Sequence, residues 1–155
     1  EVHKVKMPAN IDQVRLVIGN TGVHSKTATV VAEVAAQLKE NPERMLEIKT
    51  IGDLARRGAS ALRSGEVDEL GRCMSENHLL LRGLGVSCPE LENLIQAAAP
   101  TSLGVKLTGA GRGGCMVALT MEPTLTCGAI ELAGGRAYIS KIGCQGAKID
   151  EESGN

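Results

Sequence analysis

The 155-residue sequence has no tryptophan and no phenylalanine, and Tyr138 is its single aromatic residue. Proteins that hold single-stranded nucleic acid stack bases on several rings, which one tyrosine cannot supply. Excess charge of one sign is missing too. Seventeen lysines and arginines against 18 aspartates and glutamates leave a net charge of -1, with no broad basic surface for a phosphate backbone. No apolar run reaches the roughly 18 residues of a membrane span, and the first residues lack the basic, apolar, small-residue order of a signal peptide. The expectation is a soluble, cytoplasmic protein with no nucleic-acid or membrane partner.

Closely spaced metal ligands are absent as well. Cys73, Cys88, Cys115, Cys127 and Cys144 contain no CxxC pair, and His3, His24 and His78 make no HExxH-type spacing. Structural zinc sites place ligands two to four residues apart, so buried reduced thiols in a reducing cytosol are the expected reading. No metal bound by the chain's own side chains is expected.

What the sequence does contain is a glycine-rich segment, Lys106-Leu107-Thr108-Gly109-Ala110-Gly111-Arg112-Gly113-Gly114, directly after an apolar strand-like run. Glycine reaches positive φ without steric cost, so clustered glycines let successive backbone N–H groups converge on an anion such as phosphate. A structural alternative is a tight turn that lets two strands pack closely.

Periodicity places this segment in the chain. Residues 2–7 alternate weakly and residues 14–18 are nearly all apolar, predicting two opening strands separated by the turn-like Pro8-Ala9-Asn10. Helical spacing follows at 25–40, with Val30, Val31, Val34, Ala35 and Leu38 on one face. Asn41 as cap and Pro42 at the first helical position start a second helix that runs to Arg63 and stops at Ser64-Gly65. A third covers 67–82. Ser87 and Glu90 have capping-box spacing for a fourth over 89–99, ending before Pro100. Beyond the glycines, 115–120 reads as a buried strand, 124–133 as a helix, 136–142 as an alternating strand and 147–150 as a possible last one, with a frayed tail at 151–155. Strands at both ends with helices between them indicate an α+β fold, one antiparallel sheet covered by helices.

Gly109, Gly111 and Gly114 satisfy the letters GxGxxG, but a dinucleotide fold needs a helix immediately afterwards, and Cys-Met-Val-Ala-Leu-Thr reads as strand. A P-loop needs a lysine after the glycines, and none follows. The HRD and DFG segments of protein kinases are absent.

Lys106 to Gly114 resembles the third signature of the GHMP kinase superfamily, Lys-x-Ser/Thr-Gly-Ala/Ser-Gly-x-Gly-Gly. Its flanks, Met74-Ser75-Glu76-Asn77-His78, Leu84-Gly85-Val86-Ser87, Leu91-Glu92-Asn93-Leu94 and Cys115-Met116-Val117-Ala118-Leu119, are similar to the C-terminal half of the mevalonate kinase family in its short prokaryotic form. Val17-Ile18-Gly19-Asn20-Thr21-Gly22-Val23 with Ser25 and Thr27 resembles the segment just upstream.

The resemblance implies a ferredoxin-like C-terminal domain over residues 20–155, preceded at 1–19 by remnant strands of an N-terminal domain. It also implies transfer of the ATP γ-phosphoryl to the 5-hydroxyl of mevalonate, with Mg2+ bridging phosphates, in isoprenoid biosynthesis. Gly109, Ala110, Gly111 and Gly113, with Thr108, would approach phosphate and substrate; Lys106 would neutralise phosphate charge, or stand solvated or ion-paired. Thr27 would be an auxiliary active-site hydroxyl, or would bond its own helix backbone. Asn77 and His78 are read as structural polar groups. Arg112 stands where these kinases usually have a fourth consecutive glycine, and its side chain either meets solvent or adds a cation beside the phosphates. Asn20 replaces a frequent aspartate. The family's nucleotide loop, metal-binding glutamate and catalytic aspartate lie before the segment that Glu1 matches, so no catalytic residue is expected here. The partner is then the missing N-terminal half, the lone chain is inactive, and uncovered strand edges favour a homo-oligomer. Alternatives are a phosphomevalonate- or galactose-type GHMP kinase, or a non-catalytic module binding a phosphorylated ligand or a protein.

Overall fold

The computed structural model describes residues 8–143. The strands expected at 2–7 and 147–150 lie outside the described residues. A 3-10 turn at Ala9–Gln13 leads into β1 (Arg15–Asn20), followed by α1 (Thr27–Glu40), α2 (Met45–Ser64), α3 (Val67–Gly83) and α4 (Pro89–Ala98). Then come β2 (Gly104–Thr108), β3 (Cys115–Thr120), α5 (Pro123–Leu132) and β4 (Arg136–Lys141). The strands form one sheet in the order β2-β3-β1-β4, every neighbour antiparallel. This is the βαββαβ order of a ferredoxin-like α+β fold, with a run of four helices in the first crossover.

The boundary expected after residue 19 falls inside β1. That strand pairs with β3 on one side and β4 on the other, Val17 opposite both Ala118 and Ile139, so it is a central member of this sheet and not the remnant of a preceding domain.

Strand alternation sends Val17, Val105, Leu107, Met116 and Ala118 to one face, where they form the core with α4 and Ile130 of α5. Leu91, Leu94, Ile95 and Ala98 of α4 follow the i, i+3, i+4, i+7 spacing of a single helix stripe, and all are buried. Each such leucine contributes roughly 1.5–3 kcal/mol on leaving water. Pro89 sits in the first turn of α4, where its missing N–H is harmless. Ser87 makes no cap there: its hydroxyl donates to Glu92 Oε1, not to the α4 backbone, and Glu90 takes no part.

α2 ends as expected at Gly65, whose φ of 79° closes the C-terminus by a bond from Glu66 N–H to the Ala61 carbonyl. Asn41 precedes Pro42 but makes no side-chain cap; Pro42–Arg44 is a 3-10 turn before α2. Pro100 likewise sits inside a 3-10 turn, Ala99–Thr101, that extends α4.

The two sheet edges differ. α3 lies along β2: Ser75 Oγ accepts the Val105 N–H at 3.2 Å and His78 Nδ1 accepts the Leu107 N–H at 3.4 Å. These are the outward amides of an edge strand, so one helix face covers an edge that would otherwise be free. Among the described residues β4 pairs only with β1, and it is exposed at nearly every position, without the alternating burial expected for it. Cys73 is a buried free thiol, while Cys88, Cys115 and Cys127 are free and half-buried; Cys144 lies outside the described residues.

Candidate phosphate site at the glycine loop

β2 leaves the sheet at Thr108 and β3 re-enters at Cys115, and the six residues between them are built almost wholly of left-handed backbone. Gly109, Gly111, Gly113 and Gly114 have φ of 82°, 87°, 132° and 72°, and Arg112 joins them at 54°, the one non-glycine with positive φ among the described residues. L side chains resist this region, which accounts for the glycines.

The loop is seated from two sides. On one, Arg112 N–H donates to the Val86 carbonyl at 2.8 Å, and Gly111 approaches that oxygen so closely that an added Cβ would lie 1.9 Å from it. On the other, the β1–α1 connection clasps the far end: Gly114 N–H donates to Val23 O at 2.8 Å, while Thr21 N–H and Thr21 Oγ1 both donate to Gly114 O at 2.9 Å. The Arg112 side chain faces neither phosphate space nor solvent alone. It forms an ion pair with Glu33 of α1 and donates from Nε to the Gly85 carbonyl at 3.1 Å.

With Arg112 and Gly114 amides engaged, those of Gly109, Ala110, Gly111 and Gly113 have no acceptor among the described residues. Gly111 and Gly113 are nonetheless buried. Buried N–H groups without partners are rare, and free amides in a run of left-handed backbone are the donor type that suits an anion. Gly109 and Ala110 also border an apolar groove of ≈ 300 Å³ floored by Val30, Val34, Leu84 and Val86.

The remaining nominated residues divide. Thr108 is exposed at the end of β2, beside the loop. Thr27 is the first residue of α1 and is exposed; α1 has no side-chain cap, and Thr27 makes no bond to its own helix backbone. Two residues earlier, Ser25 Oγ is buried with no partner, a second unsatisfied group in the connection that clasps the loop. Lys106 is not brought to the loop. It lines a separate cavity of ≈ 230 Å³ between α2 and α3, together with Asn77, Leu54 and Met74. Burial lowers its ammonium pKa, and no carboxylate lies within ion-pair distance of it among the described residues. Asn77 Oδ1 is buried there without a partner.

A polar network behind the loop was not legible as a unit in the sequence, because its members are nine, five and fourteen residues apart and on different elements. His78 Nε2 lies 3.1 Å from Glu92 Oε1, the same oxygen that accepts the Ser87 hydroxyl, and Glu92 Oε2 lies 3.5 Å from Arg82 Nη1. The His78 N–H is aimed off the carboxylate, so the contact is a close approach without an aligned hydrogen bond. Burial dominates His78 and lowers its pKa; Arg82 and Lys106 push the same way and Glu92 opposes them. The ring is held neutral, with Nδ1 as acceptor for Leu107 and the proton on Nε2.

Comparison with known proteins gives this geometry a context. Residues 59–124 match the family described as GHMP kinases C terminal. The chain is 40% identical over 145 residues to a mevalonate kinase of Thermococcus onnurineus, covering 88% of this chain and 43% of that protein. It is 37% identical over 144 residues to a mevalonate kinase of Pyrococcus furiosus, again covering 88% and 43%. The structure superposes on L. major mevalonate kinase solved with R-mevalonate at a TM-score of 0.67 and 34% identity, over 77% of this chain and 37% of that one. The chain thus spans less than half the length of the curated relatives it matches.

Proposed function

We propose that this chain, which carries a GHMP kinase C-terminal domain, is the C-terminal half of a mevalonate kinase, transferring the γ-phosphoryl of ATP to the 5-hydroxyl of mevalonate. The observation that carries the reading is the set of four unpaired amides at Gly109, Ala110, Gly111 and Gly113. Phosphoryl transfer asks little covalent work of protein; positioning and charge stabilisation dominate. Because the Arg112 and Gly114 amides tie the loop to the Val86 and Val23 carbonyls, the four free amides beside them can meet phosphate oxygens without reorganising.

ATP would supply the transferred group, and Mg2+ bound with it would supply charge neutralisation at the phosphates. The donor set in this chain suits the phosphate oxygens: neutral N–H groups in a shaped concavity. Metal ligands, the catalytic base and the nucleotide loop fall on this reading to an N-terminal half, with the active site in the cleft between the halves. Thr108 and Thr27 would serve as hydroxyl donors at the rim, and Ser25 would gain a partner when the cleft is filled. Lys106, facing the α2–α3 cavity, acts at a distance or not at all.

Fusion of this chain to the N-terminal portion of the Thermococcus onnurineus relative tests the proposal. Mevalonate-dependent ADP release is expected from the fusion, none from the 155-residue chain alone, and none from a Gly111→Val fusion. Turnover by the lone chain, or a fusion that folds and phosphorylates galactose or phosphomevalonate in place of mevalonate, overturns it.

A further inference from the structure

The glycine loop is bounded by two approaches, and both lead back to one carboxylate. Entering, Leu107 is two residues before Gly109, and its amide is held by His78 Nδ1 at 3.4 Å. Beneath the loop, Val86 takes the Arg112 amide at 2.8 Å, and the next residue, Ser87, donates its hydroxyl to Glu92 Oε1. That oxygen lies 3.1 Å from His78 Nε2. The circuit therefore runs from β2 through α3 and α4 to the strip on which the loop rests.

We infer that His78 and Glu92 are positioning residues for the glycine loop: Glu92 anchors the Val86-Ser87 floor and sets its carboxylate against the His78 ring, and the ring fixes the strand that delivers the glycines. Neither side chain touches the amides that face the ligand, and both act through Leu107 and Ser87. The burial pattern agrees. His78 is only 4% exposed, a cost that a surface alternative would avoid, and its one aligned bond is to the backbone entering the loop.

The arrangement works in one protonation state. Nδ1 accepts from Leu107 only while unprotonated; an imidazolium would set N–H against N–H and release the strand. The charged groups facing the ring are Glu92 on α4, Arg82 one turn along α3 and Lys106 on β2. The two cations and burial favour the neutral ring, so the loop keeps its seat at neutral pH and loses it on acidification. The link to catalysis rests on the phosphate-binding role proposed for the loop above, whereas the link to loop order does not.

Two measurements on the complete 155-residue chain, without nucleotide, separate these. Nitrogen-15 NMR of the histidines should find His78 neutral at pH 7 with its proton on Nε2, titrating below the ordinary value; a proton on Nδ1, or a cation at pH 7, overturns the inference. Amide hydrogen exchange should rise about tenfold at Leu107 and at the two bonded loop amides, Arg112 and Gly114, in His78→Leu, the loss of one buried bond, while His78→Asn, which keeps an acceptor near the Nδ1 position, stays near wild type. Unchanged exchange in a folded His78→Leu overturns the inference, and so does an equal rise in His78→Asn. If His78→Leu does not fold, Glu92→Gln decides: faster exchange of the same amides with a further lowered His78 titration supports the relay, and no change in either overturns it. Failure of the fusion enzyme to phosphorylate mevalonate while these signatures hold would remove the proposed function alone.

Discussion

Gly71 of α3 and Gly104 of β2 face each other with no side chain between them. A Cβ on Gly104 would lie 2.0 Å from the Gly71 carbonyl oxygen, and one on Gly71 would lie 2.3 Å from the Leu103 carbonyl oxygen. This contact of backbone on backbone sets the distance at which Ser75 and His78, one and two turns further along the same face, can reach the β2 amides.

Gly71→Ala should therefore push α3 off β2 and cost about 3 kcal/mol or more, as overpacking against rigid backbone does. The urea midpoint measures it. Gly52→Ala is the control: at this half-buried position of α2 its added Cβ meets only the Arg56 guanidinium at 3.7 Å, and removing an interior helical glycine should stabilise by roughly 0.5–1 kcal/mol.

Within the loop, two glycines of nearly equal φ should respond differently. At Gly109 (φ 82°) an added Cβ meets nothing within 4 Å, so Gly109→Ala carries only left-handed strain of about 1–2 kcal/mol. At Gly111 (φ 87°) the Cβ would strike the Val86 oxygen, and Gly111→Ala should cost at least about 2 kcal/mol more and raise exchange of the Arg112 amide. Equal costs in denaturant titration would show that the loop does not rest on Val86.

Acid should weaken the fold through His78. Its pKa is lowered in the folded chain, so the unfolded chain binds the proton more readily. The contribution is fully present above the ordinary histidine value of about 6.5 and is lost progressively as pH falls below it toward the folded value. Denaturant midpoints taken from pH 7.5 down to 5 should fall in wild type more steeply than in His78→Asn, which has no proton to gain there.

The open strand β4 should mediate self-association. Tyr138 and Ile139 are 49% and 53% exposed on an edge with no strand beyond it among the described residues. Sedimentation of the chain should show a concentration-dependent dimer, and Ile139→Lys should shift it to monomer.

Much of this architecture was legible from residue spacing. The α4 stripe of Leu91, Leu94, Ile95 and Ala98 and the Gly65 stop are local signals, and local signals survive folding. β1 was found but assigned to the wrong neighbourhood, because its partners β3 and β4 are some hundred residues away and nothing in Arg15–Asn20 names them. Ser87 has the right spacing for a cap with Glu90, yet its hydroxyl turns to Glu92, whose carboxylate also lies beside His78, a long-range neighbour the local spacing does not name. At the glycine loop the residue types announced free amides, but which four remain free depends on Val86 and Val23, brought in from α3–α4 and β1–α1. The direction of Lys106 was unreadable for the same reason: strand parity sends it away from Leu107 and toward α2.

Among the described residues one side of the sheet is closed by Ser75 and His78 and the other ends at β4, so strand addition to the described sheet has a single docking direction. Two copies meeting through β4 would each present a helix-sealed flank outward, leaving no template for a third. Growth by pairing of the described edges would then close at a two-fold pair, two described sheets joined edge to edge, and would not propagate into fibres.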